Sequence, residues 1–174
     1  LAGLDGVASC HARGESLPVF DVHCPLGSLP LACKTDTTSI PAEIPYLRAD
    51  EQRLAQWRPA LEGLAGKRVA LSWAGHARHA NDRNRSMDLE LLDPLFAVAG
   101  VSFVSIQREP RDMDTAVLAR SPNVRHLGAE LADMADTAAV VTLADLVISV
   151  DTSVAHLAGS LGRRHVQGCV IDAG

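Results

Sequence analysis

Aromatic side chains are scarce in this chain, only 3% of 174 residues, so Ala, Val and Leu must build most of its core. No apolar run approaches the roughly 18 residues that a membrane-spanning helix needs, and no membrane span is expected. No stripe or run of Lys and Arg stands against the net charge of -5, which makes nucleic acid a poor partner. The four cysteines, Cys10, Cys24, Cys33 and Cys169, form no C-x-x-C pair and show no finger-like histidine spacing. The expectation is free thiols in a reducing cytoplasm. No G-x-G-x-x-G follows a candidate strand and no phosphate-loop motif is present, which weighs against dehydrogenases and NTPases. The G-x-S-x-G elbow of a serine nucleophile is missing too. The N-terminus has neither the Lys or Arg of a signal peptide nor an initiator Met, so Leu1 reads as an artificial boundary or a cut within a longer protein.

What is present is ordinary for a globular α/β domain: 47% hydrophobic and 21% charged residues, with no internal repeat. Residues 1–48 are loop-rich and carry Pro18, Pro25, Pro30, Pro41 and Pro45, five of nine prolines. Leu17 to Cys24 reads as one short strand, and Pro41 to Pro45 as an extended linker. From residue 49 to 174 helix and strand patterns alternate. Asp50 caps a helix with Leu54, Trp57 and Leu61 on one stripe, ending near Gly63 or Gly66. Strands are expected at Arg68–Trp73, Val101–Ile106, Val124–Leu127, Leu146–Val150 and Val166–Ile171. Helices are expected at Asp88–Val98, Asp112–Arg120, Asp133–Ala144 and Val154–Leu161. Alternation of this kind implies crossovers and a Rossmann-like parallel sheet of about five strands flanked by helices. Ligands of such sheets sit beyond the carboxyl ends of the strands.

That rule selects three stretches: Ala74 to Ser86, Gln107 to Pro110, and Asp151 to Ser153. In Val150-Asp151-Thr152-Ser153-Val154-Ala155-His156 a buried strand delivers Asp151 to the active edge. Thr152 and Ser153 then open a helix whose free N–H groups favour a phosphate, with His156 one turn in. The plainer alternative is that Asp151 or Thr152 only caps the helix and His156 packs against the sheet. In the loop Gly75 to Ser86, Arg78, Arg83 and Arg85 are planar donors suited to a diphosphate, although charged loops are commonly just solvated. His76 and His79 lack a third ligand at metal-site spacing. Gln107, just past a strand end, suits a base or a ribose, or else caps its own loop. Asp133 and Asp136 read as helix-start acids.

Taken in order, Leu71-Ser72-Trp73-Ala74-Gly75, Asn81-Asp82-Arg83-Asn84-Arg85-Ser86, Phe103-Val104-Ser105-Ile106-Gln107, Asp136-Thr137-Ala138 and Ser149-Val150-Asp151-Thr152-Ser153-Val154-Ala155-His156-Leu157-Ala158-Gly159 resemble the catalytic region of bacterial tetratricopeptide-repeat glycosyltransferases. These are similar to glycosyltransferase family nine, the heptosyltransferases, and more distantly to O-linked N-acetylglucosamine transferases. The resemblance runs from about Leu17 to Gly162, and D-T-x-x-x-H-L-A is its most specific part. It implies the C-terminal, donor-binding lobe of a two-lobed GT-B fold, preceded in residues 1–48 by a remnant of the N-terminal lobe. It implies a nucleotide sugar as substrate, a protein or glycan acceptor, and no metal or other cofactor. By this resemblance Asp151 holds sugar hydroxyls, Thr152, Ser153 and His156 serve the phosphates, and Arg83 or Arg85 replaces a lysine of the family. Asn81 and Gln107 complete the expected donor site, while the catalytic base is unknown. The chain departs from the family after Gly162 and lacks most of an N-terminal lobe. The expectation is therefore an incomplete enzyme with exposed sheet edge that invites self-association, the rival being a non-catalytic nucleotide-binding or scaffold module.

Overall fold

The computed structural model describes residue 4 and residues 6–168. Over residues 6–49 the only regular elements are a 3-10 turn at Leu26–Ser28 and the single-turn helix α1, Leu29–Ala32, which Pro30 opens at its first turn. The strand expected at Leu17–Cys24 does not form. Pro18 lacks a ladder donor and the segment has no neighbouring strand to pair with, so Val19, Val22 and Leu26 are exposed to solvent. Cys10, Cys24 and Cys33 are free and exposed; Cys169 and the end of the expected Val166–Ile171 strand lie outside the described residues.

The linker then docks. The N–H groups of Tyr46 and Leu47 both donate to the Ser160 carbonyl oxygen at 3.1 Å, and Ser160 Oγ lies 2.6 Å from the Tyr46 hydroxyl. Helix α2, Glu51–Leu61, begins where the Asp50 carboxylate accepts from the Arg53 N–H, and it buries Leu54, Trp57 and Leu61. Strand β1, Lys67–Ser72, follows. Gly66 precedes it with φ +71°, and an added Cβ would collide with the Gly100 carbonyl at 1.9 Å; only glycine lets these two turns touch.

Beyond β1, a helix expected over Asp88–Val98 is instead a 3-10 turn at Leu89–Leu92 and the short helix α3, Asp93–Phe96. Pro94 has no N–H for a continuous ladder, so the helix must restart at its own first turn. Leu89 and Leu92 still point inward, with Leu95 and Phe96 half-buried. Strand β2 is Val101–Ser105, α4 is Asp112–Arg120, β3 is Val124–His126, α5 is Met134–Leu143, β4 is Leu146–Val150, α6 is Ser153–Ser160 and β5 is His165–Gly168.

All pairings are parallel, in the order β3-β2-β1-β4-β5. One face of the sheet packs Ala70, Val104 and Val147 against α2, α5 and α6. The other packs Val69, Leu71 and Phe103 against the Leu89–Phe96 region and Val117 of α4. Phe96 meets Phe103 edge-on at 5.2 Å between ring centres, an arrangement that aromatic quadrupoles favour. Because β2 and β4 flank β1 on opposite sides, the direction of winding reverses between β1 and β4. A crevice opens at such a switch point, beyond the carboxyl ends of the strands.

Asp136 ties α2 to α5. Burial alone pushes its carboxyl up. The Trp57 indole N–H at 2.9 Å, the Ala132 N–H at 2.9 Å and the Arg53 guanidinium at 2.7 Å outweigh that and hold it below the ordinary range. Asp133 caps α5 through the N–H groups of Ala135 and Asp136. Both acids do open the helix, but Asp136 does so as a buried junction rather than as a surface charge.

Candidate functional site

A cavity of about 550 Å³ lies at the switch point, between the β1 end, the β2 end and the start of α6. Its walls include Gly75, Arg85, Gln107, Thr152 and Ser153. Each reaches it for a local reason. Strand β4 is the most β-prone run in the chain, and its last residue, Val150, is buried, so the chain leaves the sheet at Asp151. Thr152 is the N-cap residue of α6 with extended backbone, φ -140° and ψ 173°, yet its side chain makes no capping bond. Its hydroxyl turns back to Ser149 Oγ at 3.1 Å. The N–H groups of Ser153 and Val154 have no partner among the described residues, and both residues face the cavity. Unpaired N–H groups at the positive end of a helix dipole are an anion site in form.

Arg85 closes the other side. Its Nε and Nη2 donate to the Asp151 carbonyl oxygen at 3.0 and 2.6 Å, which anchors the guanidinium beside the start of α6. The loop that carries it is pinned from within. Ser86 Oγ donates to Asp82 Oδ1 at 2.6 Å and accepts from the Gly75 N–H at 2.9 Å. Asp82 is 9% exposed.

Gln107 forms the floor. Its Oε1 accepts from the Ala74 N–H at 3.0 Å and from Ser72 Oγ at 3.4 Å, fastening the β1 and β2 ends together. Its amide nitrogen has no protein partner among the described residues. Gly128 makes this placement possible, since a Cβ there would stand 1.8 Å from the Gln107 carbonyl. Behind it, Ser105 Oγ and His126 Nδ1 are 2.9 Å apart. Burial holds the His126 imidazole below its usual value, against the opposing pull of Glu130.

Other expected residues lie elsewhere. Asn81 and Arg83 are exposed and do not line the cavity. The 3-10 turn at Asp82–Asn84 rotates Asp82 inward, which leaves its neighbours outside; Asn81 Oδ1 accepts from Asn84 Nδ2 at 2.8 Å. The Asp151 and His156 side chains also sit outside the lining. His156 Nε2 is 3.9 Å from Asp151 Oδ1, with the two side chains 79% and 55% exposed. Helix α6 turns Val154, Ala155 and Ala158 to the core, so position 156 falls on the solvent side. Asp151 contributes its carbonyl to the site, and His156 neither lines the cavity nor packs against the sheet.

The cavity is also lined by Arg108 and Glu109, within the stretch Gln107 to Pro110 that the strand-end rule selects, and by His76 and His79, within the selected loop Ala74 to Ser86 but weighed there only as metal ligands. Met134 and Thr137, in the first turn of α5, line it too; Thr137 belongs to the Asp136-Thr137-Ala138 run of the resemblance, but neither residue is among those expected at the site. Among the described residues no group of three or more His, Cys, Asp or Glu side chains comes together as a metal site would require, and no helix is long and apolar enough to cross a membrane.

No protein-family model matches the chain. It is 28% identical over 153 residues to Protein FlbA of Caulobacter vibrioides, covering 85% of this chain and 26% of FlbA, and so spans about a quarter of that relative. Among solved structures, the E. coli ADP-heptose lps heptosyltransferase II matches with a TM-score of 0.55 at 14% identity, over 75% of this chain and 41% of that one. The E. coli heptosyltransferase WaaC with ADP matches with a TM-score of 0.49 at 20% identity, over 75% and 40%. The first likeness is one of fold: the five-stranded parallel sheet with helices on both faces corresponds to part of a GT-B heptosyltransferase.

Proposed function

We propose that the switch-point cavity binds the nucleoside diphosphate of a nucleotide sugar, and that this chain is the donor-binding part of a glycosyltransferase. The observation that carries the reading is the pairing, across one cavity, of the open N-terminus of α6 with the anchored Arg85 guanidinium. A diphosphate is the ligand that two such donors suit. Arg108 adds a second cation at the rim, so protein charge and helix dipole rather than a metal offset the phosphates. Glu109 and the free amide nitrogen of Gln107 are an acceptor and a donor matched to the hydroxyls and base of a nucleoside. The heptosyltransferase that shares the fold is named for ADP-heptose, which makes an ADP-sugar the first donor to try.

In a transfer reaction, an acceptor hydroxyl attacks the anomeric carbon while the C–O bond to the diphosphate breaks. Arg85 and the α6 N–H groups stabilise the negative charge that collects on the leaving phosphate. The acceptor is a glycan or a protein, held by a part of the enzyme that this chain does not supply. Association with tetratricopeptide repeats, a bacterial source and a cytoplasmic setting all belong to this proposal through the resemblance of the D-T-S-V-A-H-L-A stretch.

Isothermal titration of the chain against ADP-, UDP- and GDP-sugars and the free nucleoside diphosphates tests the reading. Saturable binding to one base series, competed by its nucleoside diphosphate, is the expected outcome. Absence of binding to every nucleotide would leave a scaffold module as the better reading.

A further inference from the structure

Two opposite charges stand close together in the loop after β1 and do not pair. A Cβ built on Gly75 would lie 3.0 Å from Asp82 Oδ1 and 3.6 Å from Arg85 Nη2. Each group is instead engaged elsewhere, Arg85 with the Asp151 carbonyl and Asp82 with Arg111. Arg111 Nη2 donates to Asp82 Oδ2 at 2.8 Å, and its Nη1 lies 3.6 Å from Asp88 Oδ1. Arg111 is the N-cap residue of α4, and its own N–H is fixed on Asp114 Oδ2 at 2.8 Å. The Trp73 indole N–H donates to that same oxygen at 3.0 Å, and Asp114 is 1% exposed. The guanidinium therefore projects from a rigid root, and it does not line the cavity.

A nearly buried carboxylate without a counter-ion draws in whatever cation is in reach. For Asp82, once Arg111 is gone, Arg85 is a cation within reach on the same side of the loop. A carboxylate is a stronger acceptor for a guanidinium than a neutral carbonyl is, so Arg85 would leave Asp151 for Asp82. We propose that Arg111 is a positioning residue for anion binding: by occupying Asp82, it leaves Arg85 free to stay on the Asp151 carbonyl with its charge available to a diphosphate. The ligand half of this proposal rests on the reading of the cavity as a diphosphate site. The relation among the three side chains does not.

The test has two arms. The first needs no ligand. The Arg85 Nε–H resonance, identified by its loss in Arg85→Lys, is followed by nitrogen–proton NMR in the wild type, in Arg111→Met and in the double variant Asp82→Asn/Arg111→Met. The second titrates the same proteins with inorganic pyrophosphate and with ADP. Arg111→Met shifts the Arg85 resonance and weakens both probes about tenfold or more, the size of one lost charge-assisted bond. The double variant, in which no carboxylate remains to capture Arg85, returns the resonance to its wild-type position and affinity to within about threefold of wild type. A residue that merely propped up the loop would not be rescued by removing a second charge. An unmoved resonance in Arg111→Met, or a double variant no better than the single one, overturns the proposal. Should Arg111→Met not fold, Arg111→Gln keeps a hydrogen bond to Asp82 without the charge and is expected to act in the same direction. If the wild type binds neither probe, the diphosphate reading fails, and the NMR arm still decides whether Arg111 holds Asp82 away from Arg85.

Discussion

Arg85 grips the main-chain carbonyl oxygen of Asp151 with two nitrogens, Nε at 3.0 Å and Nη2 at 2.6 Å. A guanidinium held this way has paid much of its ordering cost before any ligand arrives, which favours tight anion binding. Arg83, two residues earlier and equally charged, is exposed with no bond to the site.

Arg85→Ala is therefore expected to weaken nucleoside diphosphate binding by about 1.5–3 kcal/mol, and Arg83→Ala to leave it unchanged. Higher salt weakens binding in both the wild type and Arg83→Ala. Isothermal titration at two ionic strengths checks this, and equal losses for the two variants would remove the special role of Arg85.

Stability hinges on a different acid. Asp136→Ala strands the Trp57 indole N–H and the Ala132 N–H and leaves Arg53 without its buried partner. A loss of about 3 kcal/mol is expected in urea denaturation. Asp133→Ala, which removes a helix cap and a half-exposed ion pair with Arg53 at 3.4 Å, should cost about 1 kcal/mol.

Burial holds the His126 imidazole below its ordinary 6.5. Between that lowered value and 6.5 the unfolded chain binds more protons than the folded one. Stability therefore falls as pH drops through 6.5, and this contribution levels off once pH passes below the folded value. Denaturation midpoints from about pH 8 to about pH 5 should drop more steeply for the wild type than for His126→Asn.

Turnover by the chain alone is expected to be negligible even where a donor binds. Transfer needs an acceptor held in line and a base within reach of its hydroxyl, and the cavity-lining side chains able to take a proton are Glu109, His76 and His79. Release of nucleoside diphosphate is measured with and without candidate acceptors. Acceptor-dependent release that Glu109→Gln abolishes would show that the chain suffices.

The sheet was legible because its signals are local and redundant. Leu146–Val150 carries the β-branched Val147, Ile148 and Val150 and lies between a helix pattern that ends at Ala144 and the turn at Asp151, and its bounds agree with the structure. The cap at Asp50 and the stripe of Leu54, Trp57 and Leu61 were equally plain. Pro94 was the visible mark of the broken helix at 88–98, but the apolar periodicity around it masked the break. At the site, strand ends named the right loops. They did not say which side chains turn inward, because that depends on a 3-10 turn that buries Asp82 and on which face of α6 meets the core. The partnership of Arg111 with Asp82 spans 29 residues of sequence, and no spacing rule reports a contact of that kind.

Helix α6 is held at both ends. Its first residues face the cavity beside the Asp151 carbonyl that Arg85 grips, and its last, Ser160, accepts the N–H groups of Tyr46 and Leu47 from the linker. At eight residues it is a stiff rod of about 12 Å. A displacement of the chain at Tyr46 therefore bears on the carboxyl end of that rod as well as on the covalent path into α2. The docking point of the linker and the anion-facing N–H groups are thus the two ends of one rigid element.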